Sequence, residues 1–144
     1  MAERERHFLD TSVLIYAAGR PSEHKVACAR VLEKIENKQL KAAIDTEVVQ
    51  EILFRYSRLE MPKEGLELSQ NLLRLGVLVL PVARKDIEDM LTLYGTYHTR
   101  GVPPRDALHV AVMRNHGLGK VISVDKHFGD IVEEVERVEP KTLL

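Results

Sequence analysis

The stretch His7-Phe8-Leu9-Asp10-Thr11-Ser12-Val13-Leu14-Ile15 sets a carboxylate between two apolar runs. The first run has the length of a buried strand, and the second opens a short helix over Val13–Ala18. Asp10 therefore stands where a strand ends and a helix begins. Asp favours that place as a helix cap. The two hydroxyls that follow, on Thr11 and Ser12, can do more than assist a cap, because they can bond a carboxylate, a metal-bound water or a phosphate oxygen. A second segment, Val121-Ile122-Ser123-Val124-Asp125, repeats the pattern of an apolar strand that ends in Asp. Ser123 and Asp125 are two apart and so fall on one side of that strand. In open α/β sheets, ligand sites form at the carboxyl edge where such residues emerge.

Between these segments the pattern alternates. Ser22 opens a helix running to Asn37, with Val26, Ala29, Val31, Leu32 and Ile35 toward the core, and Lys41–Ile44 reads as a second strand. Asp45 or Thr46 caps a helix to Leu59 whose core side carries Val49, Ile52, Leu53 and Tyr56. Leu66, Leu68, Leu72, Leu73 and Leu75 mark the next helix, which Gly76 stops. Val77–Leu80 is a third strand and Lys85–His98 a further helix. Pro104 or Arg105 starts a helix to Asn115, Lys120–Val124 is a strand, and Arg137–Val138 adds a short last one. Strands separated by more than a dozen residues need crossover connections, which predicts a mainly parallel sheet in a three-layer α/β/α sandwich.

The bulk numbers restrict the function. A chain of 144 residues, 44% hydrophobic and 30% charged, fits a single domain over residues 1–144 with a real core. No apolar run approaches the roughly 20 residues that cross a bilayer, and the charged start resembles no secretory signal, so a cytoplasmic, non-membrane protein is expected. Cys28 is the only cysteine, which excludes an internal disulfide and a cysteine-rich zinc site. The six histidines show no zinc-ligand spacing. A net charge of −1 gives no global basic footprint for nucleic acid, yet a carboxylate cluster offset by bound metal remains compatible with a nuclease.

Two further acids stand beside apolar runs. Glu51 lies at the margin of the apolar face of its helix, where a surface pairing with Arg55 is the plain alternative. Asp106 opens Arg105-Asp106-Ala107-Leu108-His109-Val110-Ala111-Val112, a helix apolar around much of its circumference. A carboxylate at the mouth of a buried helix needs a partner beyond the helix dipole. Converging carboxylates repel, and a divalent cation relieves that repulsion.

Together, the opening Leu9–Ile15 pattern, the Val-Val-Gln-Glu-Ile-Leu helix, Arg-Asp-Ala-Leu-His-Val-Ala and Ser-Val-Asp-Lys-His-Phe resemble the PIN-domain family of metal-dependent nucleases, over residues 7 to 140. The resemblance implies a five-stranded parallel sheet and a site of Asp10, Glu51, Asp106 and Asp125 around one or two Mg²⁺ or Mn²⁺ ions. Asp10, Asp106 and Asp125 would contact the metal, and Glu51 would hold a second ion or orient water. Thr11, Ser12 and Ser123 would support them. Single-stranded RNA is the implied substrate, cut to 5′-phosphate and 3′-hydroxyl ends. Small stand-alone members resemble VapC-type toxins, dimeric and held in check by an antitoxin protein. Arg100, Arg105 and Lys126 are the candidates for phosphate contacts. One departure stands out: where members often carry a further acid two residues past the last, this chain has His127, with Asp130 shifted.

Other readings compete. A phosphatase with an aspartate nucleophile needs an acid where Ser12 stands, and a receiver-like module needs an earlier acidic pair. A non-catalytic RNA- or protein-binding module on the same fold is the remaining alternative. The leucines of 66–75 offer either core or a dimer surface.

Overall fold

The computed structural model describes residues 5–131 and 133–144, without the side chains of Gly129 and Asp130. Five strands form one parallel sheet: β1 (His7–Leu9), β2 (Ala42–Asp45), β3 (Leu78–Leu80), β4 (Lys120–Ile122) and β5 (Glu136–Val138), in the order β3-β2-β1-β4-β5. The apolar run before Asp10 is thus the central strand. Among the described residues, six α-helices connect the first four strands: α1 (Thr11–Ala18), α2 (Lys25–Glu36), α3 (Thr46–Arg58), α4 (Pro62–Arg74), α5 (Arg84–Tyr97) and α6 (Pro104–Asn115). They pack in pairs, α1 with α2, α3 with α4 and α5 with α6. Every residue of β2 is buried, as expected of a parallel strand covered on both faces.

Two apolar clusters lie on the sheet. One joins Phe8, Leu9, Val13, Ile44, Val48, Ile52 and Val110, and a smaller one joins Ala43, Leu80, Leu108 and Val112. Helix α6 is buried without interruption from Asp106 to Met113, matching its continuous apolar sequence.

Four details differ from expectation. In α2, Val26 and Ala29 are exposed, and Cys28 joins Val31 and Ile35 on the buried face. The innermost valine of α3 is Val48, while Val49 and Leu53 are only half-buried. Asp45 starts that helix by accepting the Glu47 and Val48 amides on its side chain. The leucine stripe of α4 divides: Leu72 is buried, Leu66 and Leu73 are exposed, and Gly65 and Ser69 fill the inner face. Small residues are needed there because a Cβ on Gly65 would lie 2.8 Å from the Tyr56 Cβ of α3. Strand β4 stops at Ile122, so Asp125 sits three residues past its end. The Val124 amide there leaves the sheet and donates to Ser12 Oγ. Gly76, with φ +84°, follows α4 in the left-handed conformation that glycine adopts readily.

Candidate active site at the carboxyl edge of the sheet

Asp10 and Asp45 both follow strand residues and both precede helices. The Asp10 amide extends the ladder by donating to the Ile122 carbonyl. Its carboxylate makes no cap bond to α1. Instead, Asp10 Oδ2 accepts from Ser12 Oγ at 2.6 Å and from Ser123 Oγ at 2.7 Å. Ser123 Oγ in turn accepts the Asp125 amide at 2.9 Å, and Asp125 Oδ1 accepts the His127 amide at 2.9 Å. The two strand-end segments are therefore tied together by serine hydroxyls that aim Asp10 and fix the turn carrying Asp125.

Asp106 is nearly inaccessible, at 1% exposure, and neither of its oxygens has a hydrogen-bond partner. The Arg105 Nε atom is 3.8 Å from Oδ1, beyond hydrogen-bond range. Burial and the neighbouring charges of Asp10 and Asp125 push the Asp106 carboxyl up to about 8, against smaller opposing effects of His109 and Arg105. Burial also raises the Asp10 pKa, opposed by His109 and the two serines. These carboxylates form one electrostatic unit in which burial outweighs the nearby positive charge of His109.

Glu51 approaches from α3. Its Oε1 accepts from His109 Nε2 at 2.6 Å, while His109 Nδ1 donates to Asp45 Oδ2, also at 2.6 Å. The imidazole is fully buried. Burial opposes its charge, but the bonds to Asp45 and Glu51 outweigh that and hold its pKa well above the ordinary value. For Glu51, burial raises the pKa, and the bond and charge of His109 more than reverse it. Asp10, Glu51 and Asp125 line a cleft of about 1500 Å³. Ile15, Phe54, Leu59 and Met61 add apolar surface to its lining.

The PIN-domain family model matches residues 7–134, most of the chain. This protein belongs to the PIN-domain family. Ribonuclease VapC13 of Mycobacterium tuberculosis is 32% identical over 122 residues, covering 83% of this chain and 90% of that one. Ribonuclease VapC23 of the same species is 27% identical over 118 residues, covering 82% and 91%. Among solved structures, VapC20 of Mycobacterium tuberculosis, described as a toxin that cleaves the sarcin-ricin loop, superposes with a TM-score of 0.74 at 18% identity, over 86% of this chain and 93% of that one. The DNA-bound VapBC of Salmonella typhimurium gives 0.71 at 13%, over 95% and 99%.

Seen as a PIN domain, the chain brings Asp10, Glu51, Asp106 and Asp125 to one edge of the sheet, with Ser12 and Ser123 on Asp10 and Thr11 in the cleft wall. Of the three expected phosphate contacts, only Arg105 lines this cleft. Arg100 lies over the Tyr97 ring at 5.2 Å and pairs with Glu133, and Lys126 lines a separate, smaller cavity. Asp130, the shifted acid, has a side chain outside those described. Arg20, Arg55 and Arg58 also line the cleft, although no sequence pattern marks them. Among the described residues, no three His, Cys, Asp or Glu side chains make a finished metal cage. The donors are all hard oxygens, and both Asp106 oxygens are buried without partners. That set fits a divalent cation which keeps water and completes its shell with substrate phosphate.

His109 also escaped the sequence reading. The available signal was a polar ring inside Ala107-Leu108-His109-Val110-Ala111, three residues after Asp106 and therefore on its face of α6.

Proposed function

We propose that this PIN domain, acting as one domain over the whole chain, is a metal-dependent endoribonuclease and the toxin of a toxin–antitoxin pair. The observation that carries the reading is Asp106, buried with both oxygens unpartnered and its pKa raised by that burial and by the charges of Asp10 and Asp125. Such a group is retained at the expense of stability and is readily explained by a cation that arrives with substrate. The named ribonucleases among its relatives support RNA as the substrate.

Asp10, Asp106 and Asp125 would hold one or two Mg²⁺ or Mn²⁺ ions, which would supply charge stabilisation and an activated water. Ser12 and Ser123 keep the Asp10 oxygens aimed. Glu51, with Oε1 taken by His109, lines the cleft and would help hold a second ion or orient the attacking water. Arg105 meets the phosphate at the rim. In-line attack on a single-stranded substrate leaves 5′-phosphate and 3′-hydroxyl ends.

An antitoxin protein is the proposed partner, since several structural neighbours are toxin–antitoxin complexes. A second copy of the chain is the other, with exposed Leu66 and Leu73 of α4 available to it. No helix among the described residues is long and apolar enough to cross a membrane, and an RNA substrate argues for the cytoplasm.

The test is cleavage of end-labelled single-stranded RNA with Mg²⁺ or Mn²⁺, with and without chelator, by wild type and Asp10→Asn. Chelator-sensitive cutting by wild type alone is expected. Tight RNA binding without cutting in either metal would favour the non-catalytic module instead.

A further inference from the structure

The two acids of α6 and α3, Asp106 and Glu51, belong to elements that must be held at a fixed separation. Only one described side chain hydrogen-bonds to both α3 and its start. His109, on the face of α6 that carries Asp106, donates through Nε2 to Glu51 and through Nδ1 to Asp45. Asp45 Oδ1 meanwhile accepts the amides of Glu47 and Val48, at 3.1 and 3.2 Å, and so caps the helix that bears Glu51. The circuit closes: Asp45 fixes the start of α3, α3 carries Glu51, and His109 clamps Glu51 back to Asp45. His109 and Asp45 are fully buried and Glu51 is 19% exposed, so only the last residue reaches the cleft.

We propose that His109 is a positioning residue that acts through Glu51, holding one carboxylate oxygen so that the other faces the reacting phosphate. The inference rests on the nuclease reading above. Outer partners of this kind fix the orientation of the groups that do chemistry. A core histidine present only for packing would need no acid on each nitrogen.

Asn at position 109 can replace the Nδ1 bond to Asp45 but falls short of Glu51. Gln places its amide near the Nε2 position and can keep Glu51. The experiment compares His109→Asn, His109→Gln, Glu51→Gln and the double variant His109→Asn/Glu51→Gln, in RNA cleavage and in calorimetric Mn²⁺ titration of the folded proteins. His109→Asn should lower kcat by roughly 10–100-fold and weaken Mn²⁺ binding, with Gln restoring part of both. The KM for RNA should move less than about twofold. In the Glu51→Gln background the Asn substitution should have no further effect on kcat, because its route is already cut.

Additive losses in that cycle, or Asn and Gln variants that melt lower yet keep kcat and Mn²⁺ affinity, would overturn the proposal. If His109→Asn fails to fold, Asp45→Asn takes its place in the cycle, since Asn keeps the α3 cap while removing the acceptor for Nδ1. A wild type that neither cuts RNA nor binds Mn²⁺ would instead bring down the nuclease reading itself.

Discussion

Asp10 and Asp45 occupy matching places at the ends of neighbouring parallel strands, yet only Asp45 caps the helix it precedes. The register that pairs Phe8 with Ala43 brings the two aspartates level. Both have the residue type and backbone angles of an N-cap. The difference lies in competing donors. Ser12 and Ser123 claim the Asp10 carboxylate, whereas Asp45 meets the amides of its own helix and the His109 ring.

Opposite consequences for stability follow. Asp45→Ala removes a cap and leaves a buried imidazole half-paired, a loss of about 3–5 kcal/mol by analogy with broken buried pairs. Asp10→Asn keeps an acceptor for the serines and removes a charge that burial disfavours, so it should change stability by less than about 1 kcal/mol. Urea unfolding of the two variants checks the contrast, and equal destabilisation would contradict the division of roles.

Asp106 predicts a pH dependence. Its folded pKa of about 8 lies above the ordinary carboxyl value of 3.8. Between those limits the folded state binds the extra proton more tightly, so this group's contribution to stability is complete below the lower value and lost as pH rises toward the upper. In chelator, Asp106→Asn should therefore melt higher than wild type at pH 8, with the gap closing near pH 4. Mn²⁺ should raise the wild-type melting temperature at pH 8 and act less on the variant. A gap independent of pH would place the effect outside the ionisation of Asp106.

The basic residues should separate in RNA cleavage. Arg105→Ala ought to raise KM and flatten the salt dependence of binding, since it removes a phosphate contact at the cleft. Arg100→Ala should leave KM alone and weaken only the local packing of Tyr97 and Glu133. A salt titration of each variant distinguishes them.

Gly65→Ala tests the α3–α4 contact. The new methyl would meet Tyr56 at 2.8 Å, too close to accommodate without moving one helix. A loss of about 1–3 kcal/mol is expected, the usual range for overpacking. Thermal melting reads it directly, and an unchanged midpoint would mean that the hairpin shifts freely.

The strand–Asp–helix order was legible because each apolar run has strand length and each Asp interrupts it. The same logic found Asp106, since a carboxylate opening a wholly apolar helix is conspicuous. Ser123 was legible as a neighbour of Asp125 by alternation, but its hydroxyl serves the Asp10 carboxylate and only the backbone of Asp125. That assignment depends on strand order, which local patterns do not encode. His109 was missed for a related reason: its partners are 58 and 64 residues away, and ligand spacing looks only along the chain. The α4 leucines left core and surface both open, because periodicity does not reveal that Tyr56 needs glycine opposite it.

Ser123 reaches Asp10 across 113 residues of chain. Contacts so far apart in sequence form slowly, after shorter loops have closed. A chain with β1, β2 and their helices in place still lacks the second of the two hydroxyls that hold its first carboxylate, as well as Asp106 and Asp125. Closure of β4 against β1 is thus the step that completes the proposed site, joining residues from the two ends of the chain.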